Sequence, residues 1–165
     1  MKMLISLLAC MILIVGCTSN ETETADQMET APQGVTLNVK APELMKVPTR
    51  VEVKSDTDWA GKVHNKEIEV IEVINILLPV KEYLVEGFKQ YDSKFSEFLH
   101  EEWGDTQVQL TQALTDYGVC TEKKAAGKID KKLFLDLEGV WQTLVKTGVA
   151  GLRTKSMMDT ELAKL

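Results

Sequence analysis

From Val80 to Trp103 the apolar residues return every three or four positions, as Val80, Leu84, Phe88, Tyr91, Phe95, Phe98/Leu99 and Trp103. That is the period of a helix with one greasy side, and it excludes a strand, where the repeat would be two. A helix of about six turns ending at Gly104 is expected. Thr106 with Gln109 reads as a capping box for the next helix, whose apolar positions are Leu110, Ala113, Leu114 and Tyr117 and whose end is Gly118. Val119 to Ile129, with its glycine and lysines, reads as a loop. Asp130 then caps a helix with Leu133, Phe134, Leu137, Trp141, Leu144, Gly148 and Leu152 on one side. Ser156 with Asp159 resembles a last capping box, for a short terminal helix.

Upstream, Asn65 is placed to cap a helix with Glu67 and Glu69 in its first turn, where acidic groups complement the dipole. Val70, Val73, Ile74 and Leu77 share one side of it, Glu69, Glu72 and Asn75 the other. The β-branched residues keep a strand open as the alternative there. Pro79 should break or kink this helix, because it lacks a backbone donor and crowds the preceding turn. Earlier still, VTLNVK from Val35 and VEVK from Val51 alternate apolar with polar around a proline-bounded segment, Ala41 to Pro48, and read as two short strands. The fold class expected is mainly α: a helical bundle of four to five helices with two short N-terminal strands, spanning residues 35–165 as a single domain. Gly139, Gly148 and Gly151 suit either close helix packing or a groove for a partner helix.

The first residues carry a different message. Lys2 makes a small positive start, Met3 to Val15 form an almost unbroken apolar run, and Gly16 precedes a cysteine. The run is shorter than the ~20 residues of a spanning helix and has the build of a signal peptide. Ile14-Val15-Gly16-Cys17 resembles a bacterial lipobox. The resemblance implies cleavage before Cys17, diacylglyceryl attachment to its sulfur and acylation of the new amino terminus, with 1–16 as the signal peptide. Two or three acyl chains hold a protein durably where one binds only reversibly. Thr18-Ser19 in place of an aspartate resembles the pattern sorted to the outer membrane in a cell with two membranes; with one membrane, its outer face is implied. Residues 17–34 then form a lipidated cysteine and an acidic tether with four acidic and no basic residues after it. As a flexible coil, such a segment spans ~23 Å.

Losing Lys2 with the leader, from 19 basic residues against 25 acidic ones, takes the net charge from −6 to −7. An acidic chain without clustered cations on a basic domain is not built for nucleic acid. Of three cysteines, Cys10 leaves with the leader and Cys17 is the expected lipid site, so Cys120 is the lone remaining thiol. It suits a buried apolar position or a disulfide between chains.

Downstream candidates for chemistry are partial. Asp56, Asp58, Gly61, Val63 and Glu67 take positions of a calcium-binding EF-hand loop, but Ala60 stands where an oxygen ligand belongs, and an Asx turn explains the same residues. Glu97 and His100 have the spacing of a metal-binding pair on a helix, without the second copy that a di-iron bundle needs. Glu97, Glu101 and Glu102 read as a solvated face, and Trp59, Trp103 and Trp141 as core. Lys123, Lys124, Lys128, Lys131 and Lys132 crowd a loop and a helix start, where positive charge opposes the dipole, and this suggests contact with an anionic partner or lipid headgroups. No catalytic set, cofactor or metal site is assigned. The expectation is a non-enzymatic envelope lipoprotein, held to the membrane through Cys17 and acting by protein contacts as an assembly factor, scaffold or blocking protein. The alternatives are a small-ligand or calcium binder using Asp56, Asp58 and Glu67, and a cell-wall enzyme using Glu97 or Glu101.

Overall fold

The computed structural model describes residues 35–165. The expected signal peptide 1–16, Cys17 and the expected tether up to residue 34 lie outside the described residues. Three long helices follow an extended N-terminal segment: α1 (Trp59–Tyr91), α2 (Glu97–Ala125) and α3 (Lys131–Leu162), with a single 3-10 turn at Asp92–Lys94 between the first two. Leu77 faces Gly148, Val80 faces Gly151 and Gly87 faces Met158, so residue numbers climb together and α1 and α3 run parallel. Glu102 pairs with Arg153 and Lys123 with Asp136, so α2 runs against α3. The backbone of α3 lies close along both other helices.

The helical bundle of the sequence reading holds, but it has three helices rather than four or five. Gly104 and Gly118 do not end anything: both sit inside α2 with open space where a side chain would stand. A glycine costs a helix about 1 kcal/mol, which packing on either side outweighs, and it stops the helix only when the backbone turns left-handed. The one described glycine that does so is Gly127, at φ 75°. Hence α2 persists through the expected loop to Ala125, and the chain reverses within residues 126–130. Asp130 caps α3 as expected, accepting from the Leu133 amide at 2.8 Å. The boxes expected at Thr106 and Ser156 are not caps. Thr106 donates to the Glu102 carbonyl within α2, and α3 continues past Ser156 to Leu162.

The earlier reversal also moves. The Val80 to Trp103 period belongs to two helices, because the chain turns at Asp92–Lys94 and restarts at Ser96. Ser96 accepts from the Leu99 amide, while Glu161 of α3 takes both the Ser96 amide at 2.9 Å and its hydroxyl at 2.6 Å. The apolar stripe passes through the turn without losing phase, so periodicity alone could not place the break. α1 starts at Trp59, not at Asn65, with Asp58 as its cap; it passes through Pro79 without interruption. Pro79 is exposed at the edge of the extended segment, beside Val39 and Leu44, and its neighbours Leu77 and Val80 are seated against the α3 glycines, which holds the turn together.

Two apolar clusters fill the bundle. One joins the three helices around Ile74, Leu110, Tyr117, Leu137 and Leu144, and the other surrounds Leu84, Phe88, Leu99, Trp103 and Met158 and takes in Leu37 from the extended segment.

The two N-terminal strands are not formed; no strand occurs among the described residues. Residues 35–54 instead run extended and antiparallel along α1. The Asn75 amide accepts from the Met45 N–H and donates to the Met45 carbonyl, both at 2.8 Å. Asn65 does the same for Val51, at 2.9 and 2.8 Å. Backbone groups that a neighbouring strand would satisfy are satisfied here by side-chain amides.

Candidate functional site

Each of the residues singled out from sequence has a defined place. Asp58 is a helix cap: its carboxylate accepts from the Lys54 and Gly61 amides, each at 3.0 Å, and these bonds, Lys54 first, hold its carboxyl below the usual range. Asp56 offers its backbone carbonyl to Lys62, and Glu67 lies inside α1, paired with Lys124. Asp56, Asp58 and Glu67 are therefore not assembled around one point, since residues from Trp59 onward are helical and cannot wrap a cation. Among the described residues no group of three or more His, Cys, Asp and Glu side chains is placed to hold a metal. His100 sits at the Asp92 turn, its ring 5.0 Å from that of Phe88, and Glu97 occupies the first turn of α2.

The lysine cluster lies at the α2–α3 reversal, and much of it is internally matched. Asp136 receives Lys123 at 2.8 Å and Lys132 at 3.1 Å, and Lys124 reaches Glu67. Lys128 and Lys131 are exposed and form no ion pair with another described residue. Lys123 is the main cause holding the Asp136 carboxyl below its ordinary 3.8. A depressed carboxyl contributes stability above the unfolded value and loses it as pH falls through the lower folded one. Urea midpoints measured from pH 5 down to pH 2 should therefore fall less steeply in Asp136→Asn than in the unaltered chain. Equal slopes would show that the pair contributes nothing.

Next to this ion pair, α2 and α3 part to leave a groove of about 410 Å³, bordered by Val119, Leu135, Gly139 and Thr143 with Cys120 beneath. Cys120 is 3% exposed, and burial pushes its thiol up, away from the reactive thiolate. Val119 and Leu135, 44% and 52% exposed, form the apolar part of its rim, beside Asp116, Lys123 and Asp136. A rim of mixed apolar and charged side chains is compatible in chemistry with a protein contact.

The tryptophans divide. Trp103 is buried and stacks on Phe88. Trp59 and Trp141 are half-buried; the Trp59 ring lies 6.1 Å from that of Phe134, and the Lys66 ammonium lies 5.0 Å from the Trp141 ring while bonding Glu69 at 2.7 Å. Lys66 is thus a buried cation with both an anion and an aromatic face. The Tyr117 hydroxyl is pushed up to about 12 by burial and then by Glu67.

What sequence reasoning missed is the face of α1 turned toward residues 35–54. Asn65, Ile68, Glu72, Asn75, Pro79 and Tyr83 follow one another by threes and fours along it. Ile68, 1% exposed, belongs to neither main cluster, and Arg50 spans Glu69 and Glu72 at 3.4 and 2.9 Å. The only available signal was that a stripe with two asparagines is too ordered in its spacing for a merely solvated side. The chain matches no protein-family model, no curated protein and no solved structure.

Proposed function

We propose that the protein is a lipid-anchored lipoprotein of a bacterial envelope, on the extracytoplasmic side, which acts without catalysis through contacts with other proteins. The observation that carries this reading is Ile14-Val15-Gly16-Cys17 closing the apolar run from Met3. Among the described residues no helix is long and apolar enough to cross a membrane; in this reading the acyl chains on Cys17 are the anchor. Contact as the mode of action is supported by the exposed apolar border of the α2–α3 groove and by a sequence without a recognisable nucleophile, base or cofactor motif. Lys128 and Lys131, exposed and without an ion pair among the described residues, add positive charge at the reversal suited to an acidic partner surface.

The test is metabolic labelling with a clickable palmitate analogue. The unaltered chain should take the label and partition into the detergent phase of Triton X-114; Cys17→Ala should lose both properties. An unlabelled, water-soluble wild-type product with a free thiol at its amino terminus would refute the anchor. The contact reading stands separately, on recovery of a specific protein partner by crosslinking from intact cells.

A further inference from the structure

The pairing between residues 35–54 and α1 is a form of recognition. Four hydrogen bonds join it at two rungs, Asn75 with Met45 and Asn65 with Val51, and every one of them reads backbone. His64 adds a ring nitrogen 2.8 Å from the Thr49 carbonyl. Leu37 is buried at one end of this stretch, but from residue 43 to residue 54 the side chains contribute little burial: Leu44 is 55% exposed, Val47 42% and Val51 46%. Arg50, itself exposed, adds the one side-chain ion pairing of residues 43–54, its guanidinium shared between Glu69 and Glu72. A site that bonds amides and carbonyls accepts any extended chain of the right length, whereas a carboxylate pair beside one rung selects a cation at one position.

We infer that the face of α1 bearing Asn65, Glu69, Glu72 and Asn75 is a binding site for an extended peptide with an arginine directly before the residue held at Asn65, and that residues 43–54 are its resident ligand. The external partner is an extended, arginine-bearing segment of another protein, which displaces the resident one. The inference rests on the contact reading above in that the partner is a protein, but it is independent of the lipid anchor. Because the resident segment is joined to α1 through only the short turn at residues 55–58, its effective concentration is on the order of millimolar, so an external peptide competes poorly until that segment is weakened.

The experiment uses the full chain and a fluorescein-labelled synthetic peptide of residues 43–54, followed by fluorescence anisotropy. Arg50→Glu in the protein sets a third carboxylate beside Glu69 and Glu72 and should loosen the resident segment while leaving the face intact. The peptide should bind this variant at least about tenfold more tightly than the unaltered chain. Adding Asn65→Ala and Asn75→Ala should weaken binding by about tenfold or more, as should Arg50→Glu in the peptide itself. A peptide with serine at the positions of Leu44, Val47 and Val53 should bind within about threefold of the original, which simple apolar adhesion would not allow. Should Arg50→Glu lose its helical circular dichroism, Arg50→Gln serves the same comparison. No binding at millimolar peptide, or binding indifferent to the asparagines, would overturn the inference. Either result leaves palmitate labelling at Cys17 untouched, and failure of that labelling leaves the peptide site standing.

Discussion

Leu144→Ala should destabilise the bundle by about 3 kcal/mol and lower its thermal midpoint by about 10 °C. Leu144 is fully buried on α3, the helix along which both others pack, and it shares a cluster with Ile74 of α1 and Leu110 of α2. Truncation removes about three carbons from contact with two neighbouring helices, and neither can close the gap without leaving the other. Leu144→Met, which nearly conserves volume, should cost less than about 1.5 kcal/mol. Urea unfolding followed by far-ultraviolet circular dichroism measures both. A loss below about 1 kcal/mol for the alanine variant would mean that the three helices are not packed together at this level.

The opposite sign is expected for Gly104→Ala, Gly118→Ala and Gly139→Ala made together, which should stabilise the protein by about 2 kcal/mol and raise the midpoint by about 7 °C. All three are helical, and nothing lies within 4 Å of where a methyl group would stand. Glycine there only adds freedom to the unfolded chain. At Gly87 the same change should destabilise, because the new methyl would lie 2.2 Å from the sulfur of the fully buried Met158. Gly148→Ala is intermediate, its methyl 3.0 Å from a Leu77 methyl on the neighbouring helix. A triple variant no more stable than its parent would show that the helix ends at Gly104 or Gly118 after all.

The apolar faces were legible. Leu84, Phe88, Leu99, Trp103, Leu110, Ala113, Leu133, Leu137 and Leu144 all lie inside, as their spacing required, and Asp130 caps the helix it was expected to cap. Where helices end was not legible from the same signal. Glycine marks an end only through its backbone angle, and the stripe that crosses the Asp92–Lys94 turn stays in phase on both sides. Nor could local pattern reveal Asn65 and Asn75 as partners of Val51 and Met45, since these bonds join positions 14 and 30 residues apart. An alternating segment predicts an extended backbone with unmet hydrogen bonds; it does not say whether a strand or a helix will meet them. The lysines show a similar limit. Their crowding is evident in sequence, but their assignment to Asp136 and Glu67 appears only once α1, α2 and α3 are brought together.

The direction in which residues 35–54 lie has a mechanical meaning. Leu37 is seated near Gly87 and Met158, and the chain then travels the length of α1 before doubling back at residues 55–58. A tug on residue 35 along the bundle axis therefore loads the Asn75 and Asn65 rungs in shear, together, instead of unzipping them one after the other. Force applied at residue 35 would be shared between them before any of it reached the first turn of α1.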